Sequence, residues 1–134
     1  MKEMVYTPQH SFEVLEKSFY KGYQYMVASH GTHPCAYVAI SKGQPFYDAL
    51  DYEEVQDINC HGGCTFVEWG YRGEFSENYK VIGWDYAHCE GYHGTYYNLR
   101  LRKTKKWTTE EIVKECKEVI DYLHFLEKPE LLYA

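Results

Sequence analysis

The apolar and polar positions divide the chain into a strand-rich first part and one long helix near its end. In KGYQYMVAS, residues 21–29, Tyr23, Tyr25 and Val27 recur at every second position, the period of a strand. CAYVAI, residues 35–40, is a short apolar run of strand formers and predicts a central strand. Thr65, Val67 and Trp69 alternate with Phe66 and Glu68, which predicts a strand over 64–69. KVIGWDYAH, residues 80–88, reads as another, with Gly83 marking a bulge or a close approach. YYNLRLR, residues 96–102, reads as a fifth.

SFEVLEKSF, residues 11–19, predicts a short helix: Ser11 suits an N-cap, and Phe12, Leu15 and Phe19 lie near one face. The segments 29–34, 71–79 and 89–94 read as loops, and 41–57 as a loop with one short helical turn. The C-terminal helix has the strongest pattern. Thr108 and Glu111 make a capping box, and Ile112, Val113, Cys116, Val119, Ile120 and Leu123 then fall on one face. Lys114, Glu115, Lys117 and Glu118 form the face expected to meet water, and the helix should stop near residue 126, before Pro129. The expectation is a single α+β domain over 1–134, a mostly antiparallel sheet of four to five strands with a long C-terminal helix packed on one face.

Composition adds three points. Aromatic residues make up 18%, and 15 of them are Tyr, which suits an aromatic core with a subunit contact, or stacking against a flat ligand. The net charge of −6 argues against long nucleic acid as a partner. It is uneven: residues 43–99 hold ten acids against Arg72 and Lys80, while RLRKTKK, residues 100–106, holds five of the 14 basic residues, including Arg100 and Arg102. That run is a solvated strand end or a local anion site for a phosphorylated ligand. The third point is location. The polar start MKEMVYTPQH, the lack of a membrane-spanning apolar run and the odd count of cysteines (35, 60, 64, 89 and 116) lead us to expect a cytosolic protein with reduced thiols and no membrane partner.

The candidate chemistry centres on CHGGC, residues 60–64. Gly62 and Gly63 can form a nest of main-chain N–H groups for an anion, or simply a tight turn. His61 beside them can donate to a phosphate or act as acid or base. Asp85 and His88 form a second set; with His61 they would make two histidines and a carboxylate able to take a metal. Cys60, Cys64, His88 and Cys89 are a less favourable zinc set, because neighbours on a strand point to opposite faces. Cys35 after His33 and Cys64 after His61 are weak thiol nucleophile candidates. His10, His93 and His124 stand outside any constellation and read as surface or interface residues.

PCAYVAISKGQPFY, CHGGCTF, GWDYAH and the late W-x-x-E-E-I-x-x-E-C-K helix together resemble a family of short proteins carried by bacteriophages and prophages, over roughly residues 34–118. The pattern differs at Gln44, where a His is expected, at Cys64 in place of Leu, and at Tyr86 in place of Cys. The matched polar positions are His61, Gly62, Gly63, Thr65, Asp85 and His88. The resemblance implies a setting in the host bacterial cytosol, in which a phage protein acts against host defence and its nucleotide signals. The leading expectation is a homo-oligomer that binds and sequesters a small phosphorylated nucleotide, such as a cyclic oligonucleotide or a relative of cyclic ADP-ribose. Its contacts would be His61, Gly62, Gly63, Thr65, Trp84, Asp85, His88, Arg100 and Arg102, with no obligatory cofactor. One alternative is a phosphodiesterase-type hydrolase that uses His61, Asp85 and His88, with or without a metal. Another is a protein inhibitor of a host enzyme, with acidic residues 48–57 in a basic groove.

Overall fold

The computed structural model describes residues 12–31, 33–86 and 107–127. It is α+β. Five strands, β1 (Glu13–Tyr20), β2 (Tyr23–Ser29), β3 (Pro34–Ile40), β4 (Phe66–Tyr71) and β5 (Phe75–Asp85), form one antiparallel sheet in the order β1-β2-β3-β5-β4. Among the described residues one long helix, α1 (Thr109–Leu126), follows. A 3-10 turn, Tyr52–Val55, sits in the long β3–β4 connection where one helical turn was expected. The predicted strand over 96–102 and the loop over 89–94 lie outside the described residues.

Residues 13–20 are a strand, not the expected helix. Lys21 and Gly22 both take positive φ (50° and 88°), the two-residue turn that matches the twist of a hairpin, and it commits the preceding segment to pair with β2. A bulge between Val14 and Glu16 drops Leu15 out of the two-residue alternation. This slip is what made the apolar spacing resemble a helix. The predicted loop 71–79 is shorter than expected, because β5 already begins at Phe75.

The sheet has an apolar layer on each face. On one, Ile112, Val113, Cys116, Val119, Ile120 and Leu123 of α1 pack over Tyr23, Tyr25, Val27, Val38, Ile40, Ile82 and Trp84. Each such buried aliphatic side chain contributes about 1.5–3 kcal/mol. The helix starts where expected: Thr108 accepts from the Glu111 N–H at 3.1 Å, and Glu111 accepts from the Thr108 N–H at 3.0 Å.

On the other face Met26, Ala28, Tyr37, Ala39 and Val81 are buried, with Phe75 among them. Part of the cover comes from the sheet itself. Phe66 and Tyr71 stand five residues apart on β4, about 17 Å along a straight strand. Their ring centroids are 5.0 Å apart, and Tyr71 stacks on Tyr37 at 4.6 Å. The strand therefore folds back, at the irregularity between Trp69 and Tyr71. The hairpin tip then reaches the far edge strand. Lys17 of β1 pairs with Glu74 at 3.0 Å, and the Arg72 guanidinium lies 4.4 Å from the Phe12 ring. Gly70 makes the fold-back possible: its φ is +75°, and a Cβ there would stand 2.9 Å from the Phe75 carbonyl oxygen.

This bend can be tested. Gly73 has a similar φ of +76° but open space around it. Gly70→Ala should cost about 1 kcal/mol or more beyond Gly73→Ala, since only the former adds overpacking to backbone strain. Urea unfolding of the two variants measures the difference, and equal costs would contradict the bend.

Candidate functional site

The CHGGC segment is a turn between the β3–β4 connection and β4. The Gly63 N–H donates to the Cys60 carbonyl at 2.9 Å, and Gly62 and Gly63 take φ of 73° and 80°, which favours glycine at both. The Thr65 N–H then donates to the Gly83 carbonyl at 2.9 Å and leads into the β4–β5 pairing, while the Thr65 side chain is exposed.

The turn meets an anion from its own chain. The His61 main-chain N–H donates to Glu115 Oε2 of α1 at 2.8 Å. The other oxygen of that carboxylate accepts from the Tyr86 hydroxyl, which itself accepts from the Trp84 indole N–H at 3.0 Å. One carboxylate thus ties turn, helix and sheet together. Glu115 was assigned to the water-facing side of the helix; it is instead half-buried at the border of the apolar face. Its spacing of three residues from Ile112 and four from Val119 was the available signal.

Rings gather above this bond. The His61 imidazole stacks on Tyr86 with centroids 4.7 Å apart and planes 9° from parallel. Trp107 meets His61 edge-on at 5.0 Å and lies 5.0 Å from Tyr86. His61 and Trp107 are half-buried, whereas Tyr86 is fully buried. Beside Trp107 opens a cavity of about 260 Å³ lined by Glu111, Lys114, Glu115 and Glu118. Tyr86 and Trp107 were not among the expected site residues, although both lie in the segments that carry the family resemblance.

The other expected residues are dispersed. Trp84 is 1% exposed and belongs to the core, so its ring has no open face for a ligand. Asp85 alternates with Trp84 and Tyr86 along β5 and pairs in register with Cys35, a member of the opposite layer. It therefore lies across the sheet from His61, and its charge acts on His30 and Cys35. His88, Arg100 and Arg102 lie outside the described residues, as do Cys89, His10 and His93. His124 is half-buried in the last turn of α1, its Nδ1 3.7 Å from Glu127 Oε1. Among the described residues no group of three or more His, Cys, Asp or Glu side chains is placed to hold a metal. No described helix is long and apolar enough to cross a membrane.

A second polar chain runs over the opposite layer. Arg72 Nε–H and the Tyr37 hydroxyl both donate to the Tyr71 hydroxyl, at 3.1 and 3.2 Å, and His30 Nε2 lies 2.9 Å from the Tyr37 hydroxyl. Burial first, then the His33 and Arg72 charges, lower the His30 pKa and favour its neutral ring.

The buried phenols and thiols hold their protons. Burial is the leading cause for Tyr23, Tyr37, Tyr86 and Cys116, all raised, and it pushes Cys35 up to about 12. Cys60 is raised first by its contact with the Cys64 sulfur and then by burial. Such thiols are poor nucleophiles at neutral pH.

The sign of the pH dependence follows. With folded pKa values above unfolded ones, the unfolded chain releases these protons first, from about pH 9 for Cys and pH 10 for Tyr. The contribution of these phenols and thiols should be constant below about pH 8, and above it stability should fall by ~1.4 kcal/mol per pH unit for each group that only the folded state keeps protonated. Urea midpoints taken from pH ~8 to ~10.5 check this; an unchanged midpoint would contradict it.

Comparison with known protein families, curated proteins and solved structures found no match for this chain.

Proposed function

We propose that this chain is a binding module that captures a small phosphorylated nucleotide, taking the ligand's ring against the ledge formed by His61 and Trp107. The observation that carries the reading is the fixed His61 ring, stacked on buried Tyr86 and braced edge-on by Trp107, next to a cavity. Rings held in place lose little freedom when a flat ligand joins them, and each base–aromatic contact is worth about 1–3 kcal/mol.

The charges give the ligand a direction. Glu111, Glu115 and Glu118 repel phosphate but can accept from the N–H groups of a base. The phosphates fall to the basic run 100–106, which immediately precedes Trp107 in the chain and includes Arg100 and Arg102. Gly62 and Gly63 then chiefly shape the turn, because Glu115 already meets the His61 N–H and the Cys60 carbonyl the Gly63 N–H. Capture is favoured over cleavage by the separation of His61 from Asp85 across the sheet and by the protonated thiols. The setting, a phage protein that blunts a host nucleotide signal as a homo-oligomer in the bacterial cytosol, rests on the motif resemblance and on the common use of subunit boundaries to enclose ligands.

The test is to incubate the purified protein with cyclic oligonucleotides and cyclic ADP-ribose isomers, remove free ligand, denature by heat and identify what is released by mass spectrometry. Intact ligand is expected, with retention weakened about tenfold or more by Trp107→Ala and by His61→Ala. Cleaved product would replace this reading with a hydrolase. Retention of nothing across the panel would overturn it and leave a protein target.

A further inference from the structure

Cys60 and Cys64 flank His61, and the site described above uses neither sulfur. Their Sγ atoms lie 3.7 Å apart in the interior. A disulfide requires about 2.05 Å, so the sulfurs must close by roughly 1.7 Å. The backbone between them favours that approach. The bond from the Gly63 N–H to the Cys60 carbonyl closes a tight turn, whose first and fourth Cα atoms lie within about 7 Å. Gly62 and Gly63 supply two adjacent residues whose backbone adjusts at little steric cost.

We propose that Cys60 and Cys64 form a reversible modification site, a dithiol that a peroxide oxidises to an intramolecular disulfide and that thereby reshapes the His61 turn. Cys60, at 9% exposure against 1% for Cys64, is the sulfur an oxidant reaches first. Its thiolate attacks one peroxide oxygen, the O–O bond breaks, and Cys60 becomes a sulfenic acid with hydroxide leaving. The Cys64 sulfur then attacks the Cys60 sulfur, the S–O bond breaks, and the Cys64 proton leaves with that oxygen as water. The two thiols lose two electrons and hydrogen peroxide gains them.

The resting pair is slow to react, because the neighbouring sulfur and burial hold the Cys60 proton. The rate should therefore rise about tenfold per pH unit while the thiol form dominates. The consequence reaches the aromatic ledge, because His61 follows Cys60 in the turn that the bond would close and its ring meets Trp107. A shift in Trp fluorescence should accompany the bond.

The experiment treats the intact chain with hydrogen peroxide at pH about 8.5 and reads whole-protein mass, then maps the linked peptides. The expected result is a loss of about 2 Da, a link between Cys60 and Cys64, and full reversal by dithiothreitol. Cys64→Ser should abolish the loss and leave Cys60 as a sulfenic acid that dimedone traps, whereas Cys35→Ser should behave as the parent. A link to Cys116 or between chains would overturn the proposal. So would gains of about 16 Da per oxygen without a link, or unchanged thiols under conditions that oxidise free cysteine. Peptide mapping of the parent chain decides the matter even where a variant fails to fold.

Discussion

One carboxylate holds the arrangement together. Glu115 leaves α1 at the border of its apolar face, and its two oxygens take two unlike donors, the Tyr86 hydroxyl of the segment after β5 and the His61 main-chain N–H of the turn. Charge-assisted bonds of this kind contribute about 1.5–3 kcal/mol each. Their structural effect is larger than that figure. The glycine-rich turn is held at its far end by the Thr65 N–H on the Gly83 carbonyl and by Gln56 on the Cys64 carbonyl, and the Glu115 bond fixes its near end at His61. With the anion present, His61 stays face-on against Tyr86, and Trp107, just before the helix, completes the cluster. A main-chain N–H that could serve an anion is thus satisfied from within the protein.

The opposite face of the sheet solves a different problem. A five-stranded sheet with one helix has one apolar face left over. Here the β4–β5 hairpin bends at Gly70 and lays Tyr71 and Phe75 toward that layer, while Lys17–Glu74 and Arg72–Phe12 fasten the tip to β1. The same device blunts the edge strands, since bulges lie in both β1 and β4. Asp85 belongs to this second layer, which is why it cannot join His61 in one acid–base or metal set.

Much of this was legible in the sequence, for reasons that differ by element. The helix was clear because its capping box and six apolar positions are local signals, independent of the rest of the fold. Strands β2 and β4 were legible from their alternation and β3 from its short run of strand formers. Strand β1 was not, because a bulge shifted its alternation; the Lys21-Gly22 turn was the better clue. The site was half legible. His61 and the glycine pair stood out by residue type, and they do form a turn beside an aromatic cluster. Glu115 was hidden within a run of charged residues, where spacing to Ile112 and Val119 mattered more than chemistry. Pairing His61 with Asp85 failed on strand parity: Asp85 lies one residue from Trp84 and Tyr86 and so faces the other way.

The most direct test of the Glu115 clamp is the hydrogen-exchange rate of the His61 amide, read by NMR in the parent chain and in Glu115→Ala. The bond predicts that this amide is protected at least tenfold in the parent and loses that protection in the variant, while the amide of Val38 in central strand β3 keeps its own. A His61 amide that exchanges at the unprotected rate in the parent, or equally in both proteins, would contradict the account.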